Sequence, residues 1–171
     1  SDIKLYSNTA GWMNIPLDIT TIDLMYLHRN NLTQTLGMEK LDIGTYTQLR
    51  IAFTNATGIT NNGNMMYFNL SSNVLQIQHM FTFEEGNNTI SVDMNLNLSI
   101  HAYEYENEKL YRLQPVISEL NVSYANGTMI RFRDRERIMT YSNGTQLRLQ
   151  EENTLQNMIG NRKPTIDVVV N

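Results

Sequence analysis

Residues 41–53, LDIGTYTQLRIAF, join a turn to a strand more consistently than any other stretch of the chain. Gly44 supplies the turn, and the β-branched and aromatic residues that follow it favour a strand. Leu49, Ile51 and Phe53 alternate there with more polar residues, which predicts one buried and one exposed face. The stretch therefore predicts a half-buried strand.

Similar alternation extends in both directions. Upstream, residues 1–6 and 12–15 indicate two short strands, and residues 19–27 a third strand followed by a helical turn at 32–37. Downstream, one long strand is predicted, with Asn97 on its solvent side and a core face made of Ile90, Val92, Met94, Leu96, Leu98 and Ile100.

The C-terminal third has the pattern of a meander. Asn126-Gly127 and Asn143-Gly144 are strong two-residue hairpin signals, and they precede a short helix predicted at 151–159, a break at 160–164 and a strand at 165–170. No helix is long enough for a βαβ crossover, so the predicted fold is all-β, an antiparallel or mixed β-sandwich. We expect one sandwich domain over residues 1–164, with the meander at about 123–164 as an extension and 165–171 as a separate strand.

The element GTYTQLR at 44–50 resembles the signature of the family called domain of unknown function 4382, which comprises secreted prokaryotic β-sandwich proteins. Its flanks are similar too, and the resemblance extends over roughly residues 3 to 122. It implies a β-sandwich in a secreted setting and assigns no catalytic residues. The similar flanks are Gly11-Trp12, Ile22 to Leu24, Phe81 to Phe83, the strand ending at Ile100, and Leu113 to Ile117.

Asparagine is the most informative residue type, since the chain has 22 Asn together with 26 Ser and Thr. Eight Asn open an N-x-[ST] triplet, whereas chance at this composition gives about three. Such triplets accept N-linked glycans in secreted proteins, although an Asn- and Thr-rich β protein also makes some incidentally. The predicted glycosylation sites are Asn31, Asn55, Asn69, Asn87, Asn97, Asn121, Asn126 and Asn143.

The composition argues against several classes of function. A net charge of −4 and a pI near 5.3 give no reason to expect nucleic acid as a partner. The absence of cysteine excludes disulfides and thiol catalysis, and no apolar run approaches the ~18 residues that span a bilayer. A first residue other than Met is typical of a processed secretory chain, and equally of a trimmed one. With the glycosylation triplets, these features predict an extracellular, cell-surface location.

Neither catalysis nor a cofactor is indicated by the sequence. His28, His79 and His101 lack metal-binding spacing. The acidic pairs at 84–85, 104 with 106, and 151–152 are more typical of solvated turns than of a catalytic cleft. Calcium stays open, because oxygen ligands are plentiful but no EF-hand loop is present. The run RFRDRER at 131–137 mixes both signs of charge and indicates a solvated strand edge with cross-strand ion pairs.

The stretch TIDVVVN at 165–171 is the candidate assembly element. Its apolar alternation stays in phase with Ile3 and Leu5 when the end of one copy is written before the start of another. The resembled family has a strand at that place, which implies that 165–171 completes a sheet beside residues 1–6. The strand could enter a neighbouring subunit, fold back into its own sandwich, or be a covalent junction between tandem repeats. The predicted exchange residues are Thr165, Ile166, Asp167, Val168, Val169, Val170, Asn171, Ile3 and Leu5.

Two functions from different classes follow. The first is a structural subunit of a glycosylated extracellular filament or surface array, whose partners are copies of itself joined head to tail by strand exchange. The second is a monomeric secreted binding module for carbohydrate or attachment, with its contacts in the loops around Asn55 and Asn126. We expect no enzymatic activity and no cofactor.

Overall fold

The computed structural model describes residues 2–133, 136–150 and 165–170. These residues form mostly strands, with two short helices. In chain order the elements are β1 (Asp2–Ser7), β2 (Gly11–Ile15), α1 (Leu24–Asn30), β3 (Thr33–Glu39), β4 (Gly44–Ala52), β5 (Thr57–Ile59), β6 (Met65–Leu70), β7 (Val74–Phe83), β8 (Asn88–Met94), α2 (Leu96–Ser99), β9 (Ile100–Tyr105), β10 (Glu108–Leu113), β11 (Ile117–Tyr124), β12 (Met129–Arg133), β13 (Glu136–Thr140), β14 (Gln146–Gln150) and β15 (Thr165–Val170).

The first sheet is antiparallel and has the order β2-β1-β4-β7. Its central strand β4 is the one predicted from residues 41–53, and its Leu49 and Ile51 are buried. They pair with Leu5 and Ile3 of β1, so apolar residues of neighbouring strands line one face of the sheet.

The second sheet has the order β14-β13-β12-β11-β8-β15-β3, with β15 and β3 as its parallel pair. The strands β11 to β14 form the predicted meander, and Gly127 and Gly144 adopt the positive φ angles that the two hairpin turns require. The meander is an integral part of the sheet, because Ile130 and Phe132 of β12 are buried in the core.

The two sheets share one hydrophobic core, as expected for a β-sandwich. The first sheet contributes Ile3, Leu5, Leu49, Ile51 and Ile77, and the second contributes Ile90, Val92, Leu120, Val122 and Phe132. The prediction of an all-β sandwich with mixed pairing is therefore correct.

A third sheet, β5-β6-β10-β9, is built from the chain segments that follow β4 and β8. Its parallel pair is β6 with β10. Within the described ranges, no side chain of these four strands belongs to the buried core cluster. The sheet consequently has large exposed apolar side chains, among them Ile59, Met65 and Tyr67.

Two sequence predictions of local structure are wrong. The long strand expected over residues 90–100 ends at Met94, since Asn95 caps a helical turn that contains Asn97. The expected strand at 19–27 and helical turn at 32–37 are also incorrect. A helix begins after Asp23, whose carboxylate accepts a hydrogen bond from the Tyr26 amide at 2.8 Å, and the strand follows at 33–39.

The position predicted for the last strand needs correction as well. Strand β1 has β2 on one side and β4 on the other, so no edge remains for residues 165–171 beside Ile3 and Leu5. Residues 165–170 pair instead in the other sheet. The predicted helix at 151–159, the break at 160–164, Glu151, Glu152, Ser1 and Asn171 lie outside the described residues.

Candidate strand-exchange slot and glycosylation sites

Strand β15 fills a gap between β8 and β3, which we call the slot. On one side it runs antiparallel to β8, with Val168 aligned with Ile90 and Ile166 with Val92. Both β8 residues are fully buried. The predicted alternation of 165–170 is therefore in register with the core positions of β8, although the strand lies in a different sheet from the one expected.

The other wall of the slot, β3, depends on β15 for its place in the sheet. Strand β3 runs parallel to β15, and β15 is its only strand neighbour among the described elements. Beyond that pairing, Leu17 forms an isolated bridge with Gly37, and the Asp18 amide donates to the Leu36 carbonyl at 2.8 Å. Leu36 is nonetheless buried in the shared core. Without a strand in the slot, β3 would lose its pairing and Leu36 would become exposed to solvent.

Gly37 explains how the chain packs so closely at β3. A Cβ at this position would clash with the Pro16 carbonyl oxygen and lie 3.3 Å from a methyl group of Ile15. A glycine inside a strand pattern marks such a close approach of another backbone. Gly37 is thus the sequence signal for β3, and the prediction of a helical turn at 32–37 does not use it.

One end of the slot adjoins a small cavity of about 190 Å³. Asn88, which pairs with Val170, donates to the carbonyl oxygens of Glu84 and Gly86 at 2.8 and 2.9 Å. It also accepts a hydrogen bond from the Glu84 amide at 3.2 Å. The side chain of Asn88 is buried and holds the turn between β7 and β8 in place, so it acts as a structural residue.

Seven of the eight predicted glycosylation sites are exposed in the structure: Asn31, Asn55, Asn69, Asn87, Asn97, Asn126 and Asn143. The eighth, Asn121, is half-buried in the middle of β11. Its amide nitrogen donates to Glu119 at 3.0 Å, and its amide oxygen accepts from Arg131 at 3.4 Å. Arg131 and Glu119 also form a cross-strand ion pair at 3.2 Å, and Asn121 is the least exposed of the eight acceptor residues.

The titratable groups of the described residues were candidates for a metal or catalytic site. In the described part of the chain, no three His, Asp or Glu side chains come together as a metal site would require, and Glu84, Glu85, Glu104 and Glu106 are exposed. His79 differs from these exposed glutamates because it is partly buried. Burial, and then the charge of Arg137, lower its pKa to about 4. Its ring lies 3.8 Å from that of Phe132, measured between centroids.

The outer face of the first sheet has a polar and aromatic surface. The Arg50 guanidinium lies 4.1 Å from the centre of the exposed Trp12 ring, and Tyr6 is 5.1 Å from the same ring. Arg50 also donates to Gln76 at 3.2 Å, and Gln76 donates to Gln48 at 3.0 Å. Ring faces beside amides and a guanidinium suit a polar ligand such as a sugar.

Comparison with known proteins gives one match. The family model described as domain of unknown function (DUF4382) matches residues 1–115, a region that contains the first sheet, the third sheet and the strands β3 and β8 of the second sheet. No curated protein and no solved structure matches the chain. In the described residues, no helix is long and apolar enough to cross a membrane.

Proposed function

The chain belongs to the DUF4382 family, whose function is unknown, and from this premise we propose that it is a structural subunit of a glycosylated extracellular filament. In this proposal, residues 165–170 of one copy enter the slot between β3 and β8 of the next. Such a contact is head to tail and does not close on itself, so it propagates a polymer.

The observation that carries the proposal is the position of β15 in its sheet. Consecutive strands are usually neighbours, but β13, β12, β11 and β8 lie between β14 and β15. At about 4.8 Å per strand this is a lateral separation of about 24 Å. The fourteen residues 151–164 span at most about 50 Å, about twice the distance to the chain's own slot, which leaves length for donation to a neighbouring copy.

The slot offers enough interaction energy to hold a neighbour. An interior strand of six residues makes about ten ladder hydrogen bonds, worth about 1 kcal/mol each after the loss of bonds to water. The apolar alternation of the sequence predicts that Ile166, Val168 and Val170 face the core, and burial of three such side chains is worth about 5–8 kcal/mol. Association costs about 4–15 kcal/mol, so a donated strand that fills both ladders can offset that cost.

The exposed Asn residues support the glycosylated, extracellular part of the proposal. Their side chains are spread over turns, a helix end and the third sheet, which is where attached sugars leave the sandwich core undisturbed. Because the chain has no cysteine, disulfides cannot stabilise such a subunit. Strand complementation and glycans are two other sources of stability.

The second candidate is a monomeric secreted binding module. It is favoured by the surface around Trp12, where Arg50, Gln48 and Gln76 surround an exposed aromatic ring. This surface differs from the sequence expectation, which placed the contacts in the loops around Asn55 and Asn126. A chain that stays monomeric and loses saccharide binding on Trp12→Ala would favour the binding module over the filament.

Deleting residues 165–171 tests the filament proposal. We expect the truncated chain to stop polymerising and to expose the slot, because β3 loses its strand neighbour. A synthetic peptide, TIDVVVN, should then bind in trans and restore a cooperative unfolding transition, measured by circular dichroism. The matched control peptide, with Val168→Asp, should not bind, since it would place a charge opposite buried Ile90. Polymers that persist after the deletion would exclude the proposal.

A further inference from the structure

An aromatic residue stands two positions before the acceptor Asn in half of the glycosylation triplets. The four pairs are Phe53 with Asn55, Tyr67 with Asn69, Tyr124 with Asn126, and Tyr141 with Asn143. Aromatic residues make up 9% of the chain, so fewer than one such pair among eight is expected by chance. Each of these rings is a candidate for contact with whatever the neighbouring Asn carries, and its exposure decides whether that contact is possible.

The structure divides these four pairs into two classes. Tyr124 is only 9% exposed, and Phe53 packs against the core, so neither has a free ring face to offer. Tyr67 is 72% exposed and Tyr141 is 39% exposed. The rings beside Asn69 and Asn143 are therefore open to a ligand attached to the neighbouring Asn.

The Asn69 side chain lies on a face of the third sheet that also carries tyrosine rings. Tyr67 and Asn69 are alternate residues of β6, so they project from the same face about 6.5 Å apart. The Asn69 amide nitrogen donates to the Tyr103 hydroxyl at 2.7 Å, and the Arg112 guanidinium lies 5.4 Å from the Tyr103 ring. Of the two tyrosines near Asn69, Tyr67 therefore has the ring face that is accessible to a ligand.

At Asn143 a tight hairpin brings the same groups together. Tyr141 donates its amide hydrogen to the Thr145 carbonyl at 2.9 Å, and the Gly144 amide donates to the Tyr141 carbonyl at 2.9 Å. The Thr145 amide donates to the Asn143 side-chain oxygen at 3.0 Å. These bonds fix the orientation of the Asn143 amide at the tip of the hairpin, with Tyr141 at its base.

We propose that Tyr67 and Tyr141 hold the first sugar of the N-linked glycans on Asn69 and Asn143 against their ring faces. Glycosylation forms a bond between the Asn amide nitrogen and the anomeric carbon of a sugar, while the bond from that carbon to the phosphate of a lipid-linked donor breaks and the amide loses one proton. The electron-rich face of an aromatic ring attracts the C–H groups of a pyranose. One N–H of Asn69 remains to donate to Tyr103.

The consequence is that two glycans become part of the folded structure, while the others project into solvent. Asn126 provides the internal comparison, because its turn has the same hydrogen bonds: Tyr124 donates to Thr128 at 2.9 Å, and Thr128 donates to the Asn126 side chain at 2.8 Å. There the tyrosine ring lies in the core and the Asn126 amide nitrogen donates to Glu84 at 3.0 Å. A sugar on Asn126 has no ring to rest on.

The experiment compares each variant in two forms of the full chain: one secreted from a host that attaches N-linked glycans, and one made without them. Tyr67→Ala and Tyr141→Ala should each lower the thermal unfolding midpoint by about 2–4 °C more in the glycosylated form than in the bare form. Tyr67→Phe and Tyr141→Phe keep the ring and should show no such difference. Tyr105→Ala removes another exposed tyrosine that precedes no acceptor triplet, and its effect should be equal in both forms.

Mass spectrometry of glycopeptides separates the outcomes. The inference rests on the proposed function only in requiring glycosylation. Asn69 and Asn143 unmodified while other sites carry sugars would overturn the inference alone, as would equal effects of Tyr→Ala in both forms. A chain with no glycan at any site would overturn the inference and the glycosylated part of the proposed function together. Filament formation is measured separately, by testing the same material for polymers.

Discussion

His79 is the side chain whose chemistry the fold changes most. It lies on β7 and its ring packs against Phe132 of the opposite sheet and Phe81 of its own strand. Arg137 adds a positive charge nearby, and its Nε atom is buried without a hydrogen-bond partner among the described residues. Burial and this charge both favour the neutral imidazole, which is why the pKa falls to about 4.

This environment predicts how stability changes with pH. The pKa of His79 in the folded state lies below the ordinary value of 6.5, so between pH 6.5 and 4 the unfolded chain binds a proton that the folded chain does not. The free energy of unfolding should therefore decrease as the pH falls through this range, by roughly 1–2 kcal/mol after solvent screening of the partly exposed ring. Above pH 6.5 the contribution should be constant.

Chemical denaturation at a series of pH values measures this effect. His79→Gln should flatten the dependence between pH 6.5 and 4. Identical pH profiles for wild type and His79→Gln would show that the imidazole takes up a proton equally well in the folded and unfolded chains, which would contradict the lowered pKa.

For single residues, the sequence predicts buried positions well where a strand is regular. Leu49, Ile51, Ile90, Val92, Met94 and Leu96 are predicted in the core and are buried, whereas Leu98, which the same alternation places in the core, is 42% exposed because it lies in α2. Alternation identifies such residues because each face of a strand sees one environment. The pairing of His79 with Phe132 could not be found this way, since it joins two sheets and depends on their packing.

The elements that were mispredicted share a cause: side chains that bond to the local backbone. Asn95 accepts a hydrogen bond from the Leu98 amide at 3.1 Å, and the Ser99 hydroxyl donates to the Asn95 carbonyl at 2.6 Å. These bonds turn the chain into α2 and end β8, although the apolar alternation continues to Ile100. Asn and Ser side chains offer the backbone an alternative to the hydrogen bonds between strands. The pattern of apolar residues does not reveal these local bonds.

Strand β3 is the element on which the slot depends, and Gly37 is its critical residue. Gly37→Ala should destabilise the chain by about 1–3 kcal/mol, because a methyl group there meets the Pro16 carbonyl and forces the segment at 16–18 away from the sheet. Urea unfolding gives the measurement. Gly58→Ala is the matched control, since the nearest atoms to its methyl group belong to side chains, Met66 at 3.0 Å and the Phe68 ring at 3.1 Å, and not to the backbone. A Gly37→Ala chain as stable as wild type would remove the evidence for close packing at this wall.

At the scale of the whole molecule, topology was the part that the sequence could not predict. The strand at 165–170 was predicted as an assembly element, and its phase agrees with β8. Phase has a period of two residues, however, so it carries no information about which strand is the neighbour. The apolar pattern therefore places the strand beside β1, while the space for it exists between β3, which ends at Glu39, and β8, which begins at Asn88.

The donation of β15 to a neighbour is tested most directly by a disulfide across the slot. Ser91 and Asp167 are directly opposite in the β8–β15 ladder, where Cα atoms are about 4.5–5.5 Å apart, within the range that a disulfide bridges. The chain has no cysteine, so the two introduced thiols of a Ser91→Cys, Asp167→Cys variant are the only ones, and they are aligned for a disulfide where β15 lies beside β8. After assembly, oxidation and capping of free thiols, a denaturing non-reducing gel shows which chains are joined.

We expect a ladder of covalent multimers that collapses to one band on reduction. A matched variant, Gln78→Cys with Asp167→Cys, has its first cysteine on an exposed position of the other sheet and should give no ladder. If the Ser91→Cys, Asp167→Cys chain is fully oxidised yet runs only as a monomer, the strand occupies its own slot and the filament proposal is contradicted.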